Sequence, residues 1–288
     1  SMFSSYPFSR VGSNGCSLVA GAFLQSAGLP FAEVLPAEEI AAAFAEEDVS
    51  FAQQEDDIYT PAVTLWAWLS QVVQAGVARS CVAAVSRVIA LYIALGRQPP
   101  SPDSGAYCRA RAKLPERVLK RLVCSAAESL ESRLPSDLLW HGRHVKIADG
   151  TTLLAPDTKA NQRVWPQART QKPGVGFPIL RMLTLVSLAT GALCGVAVGP
   201  YKGKETGEPA LLRELLDRFQ SGDVMLGDCC FASYFMLALL LARGVDVVAR
   251  QHQRRRTDFR SGRRLGTKDH VAIWKRPACP AWLDKETY

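Results

Sequence analysis

The sequence predicts an α/β protein, a mixed sheet flanked by helices and preceded by a small helical bundle. Three observations predict it. Apolar residues recur at three- and four-residue steps from Pro61 to about Arg133, the period of an amphipathic helix. After Trp140 the texture changes to short apolar runs of strand length. Those runs begin as three strands in succession and then alternate with helical segments, the order of a mixed sheet with helical cover.

The 288 residues are 48% hydrophobic, enough to bury a large core in one or two domains. Every apolar window long enough to span a bilayer is interrupted by a charge, Arg87 in one and Arg181 in another, so no membrane span is expected. The run Cys16 to Leu24 lacks a basic n-region and a cleavage pattern, so no signal peptide is expected either. Eight cysteines contain no Cys-x-x-Cys pair and several sit inside apolar patterns, which points to thiols in the cytoplasm.

Residues 1–58 read as an acidic, loosely attached arm, with an Ala- and Glu-rich helix after Pro36 and an exposed joint at Glu55-Asp56-Asp57. Residues 59–140 read as the helical, DNA-binding domain. Its first helix carries Val63, Trp66, Leu69, Val72 and Val73, and its second Val82, Val85, Val88, Ile89 and Tyr92, ended by Pro99, Pro100 and Pro102. A third follows Pro115, with Val118, Leu119, Leu122 and Val123 on one face and Arg117, Lys120 and Arg121 on the other. Between them, Arg109 and Arg111 beside Tyr107 could grip phosphates or simply form the solvated face of a helix start.

From residue 141 the strands are His144 to Ala148, a hairpin of Ile179 to Ser187 and Leu193 to Val198, then Val224 to Gly227 and Val245 to Ala249. Helices are expected at Pro209 to Phe219 and Phe231 to Ala242. Gly150 is expected to break the first strand and leave Asp149 at its exit, as Val224 to Gly227 leaves Asp228.

Two carboxylates at neighbouring strand ends can hold Mg²⁺ or Mn²⁺, since Mg²⁺ takes few protein carboxylates and leaves room for phosphate oxygens. Asp-Gly at a strand end is also a common turn. His141 and His144 read as surface residues, and Cys229 and Cys230 as packing. Tyr201-Lys202-Gly203-Lys204 lacks the spacing of a nucleotide P-loop, although its lysines suit a DNA backbone.

The net charge of +7 is unevenly spread: residues 1–60 hold one basic residue against nine acidic ones. Between Arg243 and Arg276 eleven basic residues face three acidic ones, a surface suited to a polyanion or a solvated charged loop. Arg254, Arg255, Arg256, Arg263 and Arg264 are the residues there expected to meet phosphate.

Several separate motifs, in order, resemble the IS4 family of bacterial transposases: Ala148-Asp149-Gly150-Thr151-Thr152, Pro156-Asp157-Thr158, Asn161-Gln162, Gln171-Lys172-Pro173-Gly174 with Gly176-Phe177-Pro178, Gly199 to Lys204, and Leu226-Gly227-Asp228. Thr64-Leu65-Trp66, Gly105 to Cys108 and Trp140 to Arg143 extend the resemblance from about Tyr59 onward. It implies an RNase H-like catalytic domain over residues 141–288, with a basic strand-rich insertion from about residue 251. It also implies a DDE set of metal ligands, with Asp149 first and Asp228 second.

The implied activity is cut-and-paste transposition by strand nicking and attack of a 3′-hydroxyl. Double-stranded DNA, as transposon ends and target, is the implied partner, bound by a homodimer. Lys172, Lys202 and Lys204 fall where DNA contacts are implied. The family's third carboxylate, a glutamate in Tyr-x2-Arg-x3-Glu-x6-Lys, follows the insertion, and none of the seven tyrosines begins that signature. On the resemblance the domain is therefore incomplete at Tyr288. A DNA-binding remnant that does not cut, and a general RNase H-like nuclease, are the alternatives.

Overall fold

A computed structural model describes residues 35–54, 56–170, 172 and 174–288. The chain forms two compact units that divide inside one helix, at Leu122/Val123. The first 34 residues of the acidic arm lie outside the described residues, as do Glu55 in its joint and Gln171 and Pro173 in the loop before the hairpin.

Helices build the first unit: α1 (Ala37–Glu46), α2 (Pro61–Val72), α3 (Cys81–Ala94), α4 (Gly105–Arg111) and the start of α5 (Glu116–Glu131). Local chemistry sets the helix starts. Thr60 caps α2, its hydroxyl accepting from the Val63 N–H with Pro61 at the first turn, and Ser80 caps α3 through the Ala83 N–H. The described part of the expected arm is packed rather than loose. Ile40, Ala43 and Phe44 of α1 are buried in one core with Leu65, Val85, Val88, Tyr107 and Val118, because the Ala-Glu pattern still places an apolar residue every third or fourth position.

The second unit is a mixed five-stranded sheet with helices, an α/β architecture compatible with an RNase H-like fold. Its strands are β1 (Val145–Leu154), β2 (Ile179–Ser187), β3 (Leu193–Pro200), β4 (Val224–Gly227) and β5 (Asp246–Ala249), in the order β3-β2-β1-β4-β5. The first three pair antiparallel, whereas β1 with β4 and β4 with β5 run parallel. Between the strands lie α6 (Lys159–Val164), α7 (Glu208–Arg213) and α8 (Tyr234–Ala242). Leu183, Leu185, Ala148 and Met225 from the sheet meet Leu211, Leu212, Leu215, Phe219, Phe231 and Met236 in its core.

Three expectations need correction. Gly150 does not break β1: pairing with β2 continues through Gly150↔Leu183 to Leu154↔Ile179. The glycine serves close packing instead, because a Cβ there would stand 2.5 Å from the Glu208 carboxyl carbon. The helix expected over Pro209 to Phe219 starts at Glu208, leaves α geometry after Arg213 and finishes as a 3₁₀ turn, Leu216–Arg218. That tighter turn presents the Arg218 carbonyl to the Lys146 ammonium at 2.7 Å. The basic segment expected to be rich in strands holds one short pair, β6 (Arg263–Arg264) with β7 (His270–Val271).

Among the described residues no helix is long and apolar enough to cross a membrane.

Candidate functional site

Register brings the two aspartates together. β1 and β4 pair in parallel from Val145↔Val224 to Ala148↔Gly227, so Asp149 and Asp228 are the next position on each chain. Parallel neighbours lie about 4.8 Å apart and aligned residues project to the same face. Ala148 and Met225 take the buried face, leaving Asp149 to the other; Asp228, just past the end of β4, is exposed as Asp149 is and also bonds the Cys230 thiol.

The two chains leave this point differently. Asp149 Oδ1 accepts from the N–H of Gly150 at 2.9 Å while β1 runs on. Asp228 Oδ1 accepts from the Cys230 N–H at 2.7 Å, a side-chain-to-backbone turn that competes with strand pairing and ends β4. Gly227 is needed just before it, since a Cβ would come within 2.9 Å of the Phe231 ring that fills the core below.

A third carboxylate stands close by, and sequence reasoning missed it. Glu208 opens α7; its side chain packs against Gly150, and its Oε2 lies 3.4 Å from the Cys230 thiol. Burial above all, and then the carboxylates of Asp228 and Glu208, push the Cys230 thiol well up, so it remains a hydrogen-bond donor. The one available signal was Gly207-Glu208-Pro209: an acid in a helix's first turn, with Pro beside it, marks a helix start that can face another element.

Asp149 and Asp228 offer hard oxygen donors from adjacent strands, a set that suits Mg²⁺ or Mn²⁺. Among the described residues, no group of three or more His, Cys, Asp or Glu side chains is arranged to hold a metal ion.

The expected DNA-contacting residues are scattered over several surfaces. Lys202 and Lys204 line a cleft of about 480 Å³ together with Arg169, Thr170 and Tyr201. Lys172 is exposed nearby in sequence. Arg254 and Arg255 line a second cleft, about 380 Å³, whose other wall includes Cys229, Cys230 and Ser233 immediately after Asp228. Arg255 is engaged within the fold: its guanidinium stacks 3.7 Å over Trp274 and bonds the Ala232 carbonyl. Arg256 is exposed, and Arg263 and Arg264 lie exposed on β6.

In the helical unit, Arg111 bonds Gln71 Oε1 at 3.0 Å and stacks over Tyr107, so much of its donor capacity is already used. Arg109 faces a cleft it shares with Asp56, Asp57, Asp103 and Lys113. His141 is exposed in the turn before β1, where it and Gly142 both take positive φ, and His144 Nδ1 lies 2.8 Å from Glu131 Oε2.

No family model matches the chain. A protein of Escherichia coli (strain K12) named "Putative transposase InsZ" is 26% identical to it over 108 residues, which are 37% of this chain and 35% of that protein. The chain therefore spans about a third of the length of this curated relative. The likeness relates the chain to transposases.

Proposed function

We propose that the chain acts on double-stranded DNA as a DDE transposase of the cut-and-paste type, in the manner of the IS4 family. The observation that carries this reading is the parallel register that sets Asp149 and Asp228 side by side at the end of β4. In this reading the two aspartates would hold Mg²⁺ or Mn²⁺, and the bound ion would supply Lewis-acid chemistry to the oxygens of the scissile phosphate. A water oxygen bonds to phosphorus while the bond from phosphorus to the 3′ oxygen breaks, releasing a 3′-hydroxyl. The oxygen of that hydroxyl then bonds to a target phosphorus while the bond from that phosphorus to the target's own 3′ oxygen breaks, and the proton given up by the attacking hydroxyl is balanced by the one taken up on the target's released 3′ oxygen.

The residues have separate tasks. Asp149 is fixed by the β1–β2 ladder and Asp228 by its turn to Cys230. Arg254 and Arg256, close in sequence to the cleft beyond Asp228, and Lys202 and Lys204 in the other cleft supply cations for the DNA backbone. A homodimer on paired transposon ends, working in the cytoplasm, completes the proposal. One observation favours a second reading, a chain that binds transposon ends without cutting: the described residues contain no three-carboxylate metal cluster.

A Mg²⁺-dependent nicking assay on a labelled duplex carrying the element's end tests both. The first reading expects nicking by a chain extended through the helix that carries the third carboxylate, abolished there by Asp149→Asn and by Asp228→Asn while DNA binding persists. Retained nicking in either variant rules out the aspartate pair, and end binding without nicking even in the extended chain selects the second reading.

A further inference from the structure

We infer that Glu208 is a positioning residue for the Asp149–Asp228 pair, clamping the two chain exits together. The inference rests on the reading of those aspartates as a metal-binding pair.

Three contacts define the clamp. The Glu208 side chain fills the space that a side chain at Gly150 would need, one residue beyond Asp149. Its Oε2 accepts from the Cys230 thiol, two residues beyond Asp228. Cys230 in turn donates its backbone N–H to Asp228 Oδ1. One carboxylate therefore reaches a residue one position beyond Asp149 and another two positions beyond Asp228. It is anchored at the first turn of α7, whose Ala210, Leu211 and Leu212 are buried.

Side-chain parity separates Glu208 from Asp149, whereas Asp228, past the end of β4, shares the Cys230 thiol with it. Successive residues of a strand project to opposite faces. Glu208 occupies the Gly150 side of β1, the side of Ala148 and the core, whereas Asp149 projects to the other. The arrangement is that of outer residues orienting metal ligands, whose loss typically costs about 10- to 100-fold in metal affinity. Both contacts are also specific to these residue types. A side chain at position 150 would displace the clamp, and a residue without a donor at position 230 would disconnect it.

The test is Mn²⁺ binding to the full chain, followed by electron paramagnetic resonance of the free and bound ion, with circular dichroism as the check on folding. Glu208→Ala and Cys230→Ala should each weaken Mn²⁺ binding by about 10-fold or more. The double variant should lose no more than either alone, because both break one linkage. Glu208→Gln keeps an oxygen that accepts from the thiol, and Cys230→Ser keeps a donor, so both should bind Mn²⁺ nearly as the unaltered chain does.

If Glu208→Gln binds as poorly as Glu208→Ala, the charge itself is required and positioning is overturned. Unchanged binding in Glu208→Ala overturns it as well. Should Glu208→Ala fail to fold, Glu208→Gln set against Cys230→Ala carries the comparison. Failure of the unaltered chain to bind Mn²⁺ is a different result: it removes the aspartate-pair reading and this inference with it.

Discussion

The two ends of the β1–β4 pair treat charge in opposite ways. At the start, Lys146 and Asp223 are almost wholly buried, 7% and 4% exposed, and pair at 2.7 Å. Both groups have further partners: the ammonium also donates to the Arg218 carbonyl, and Asp223 Oδ2 also accepts from the Gln220 N–H at 2.8 Å. Arg143 closes the same end, bonding the carbonyls of Gly222 and Asp223 and the Asp246 carboxylate. At the far end, a few residues along the same strands, two carboxylates are exposed to solvent, and among the described residues no cation pairs with either. A buried charge needs a partner to persist. An exposed pair of like groups on rigid strands is preorganised for a cation from outside.

Removing one partner at the buried end gives the largest expected effect. Lys146→Met strands the Asp223 carboxylate in the interior, and urea unfolding should show a loss of about 3–5 kcal/mol. A loss below about 1 kcal/mol would mean that water reaches Asp223, and the contrast between the two ends would collapse. Arg143→Ala comes next. It removes bonds to two carbonyls and a carboxylate at a partly exposed site, so about 1–2 kcal/mol is expected in the same measurement. No change would show that the start of β4 is held by the sheet alone.

This contrast also explains what could be read in advance. Val224 to Gly227 was legible as a strand, and Asp228 as its end, because four residues and an Asx turn are local signals. The hairpin of β2 and β3 was legible for the same reason, as were α2 and α3, whose apolar period is 3.6. The length of β1 was not: Gly150 reads as a breaker until Glu208, 58 positions later, is seen to need the space. Arg111 likewise looked available for phosphate, but its acceptor Gln71 lies 40 residues earlier. In both places a residue's surroundings are set by a partner distant in sequence.

At the exposed end the comparison predicts a small effect on stability and a large one on ion response. Asp149→Asn and Asp228→Asn remove no hydrogen-bond acceptor oxygen from the fold, since an amide oxygen can still take the N–H of Gly150 or Cys230. Each should therefore change unfolding free energy by no more than about 0.5 kcal/mol without divalent ions. Added Mn²⁺ separates the variants from the parent. A ligand that binds only the folded chain stabilises it by about 2.7 kcal/mol at a hundredfold excess over its dissociation constant, so the melting temperature of the parent should rise while that of either asparagine variant stays nearly flat. If the asparagine variants rise as the parent does, the ion binds elsewhere. If they unfold as readily as Lys146→Met, the exposed aspartates are structural after all, and the two ends of the strands do not differ in kind.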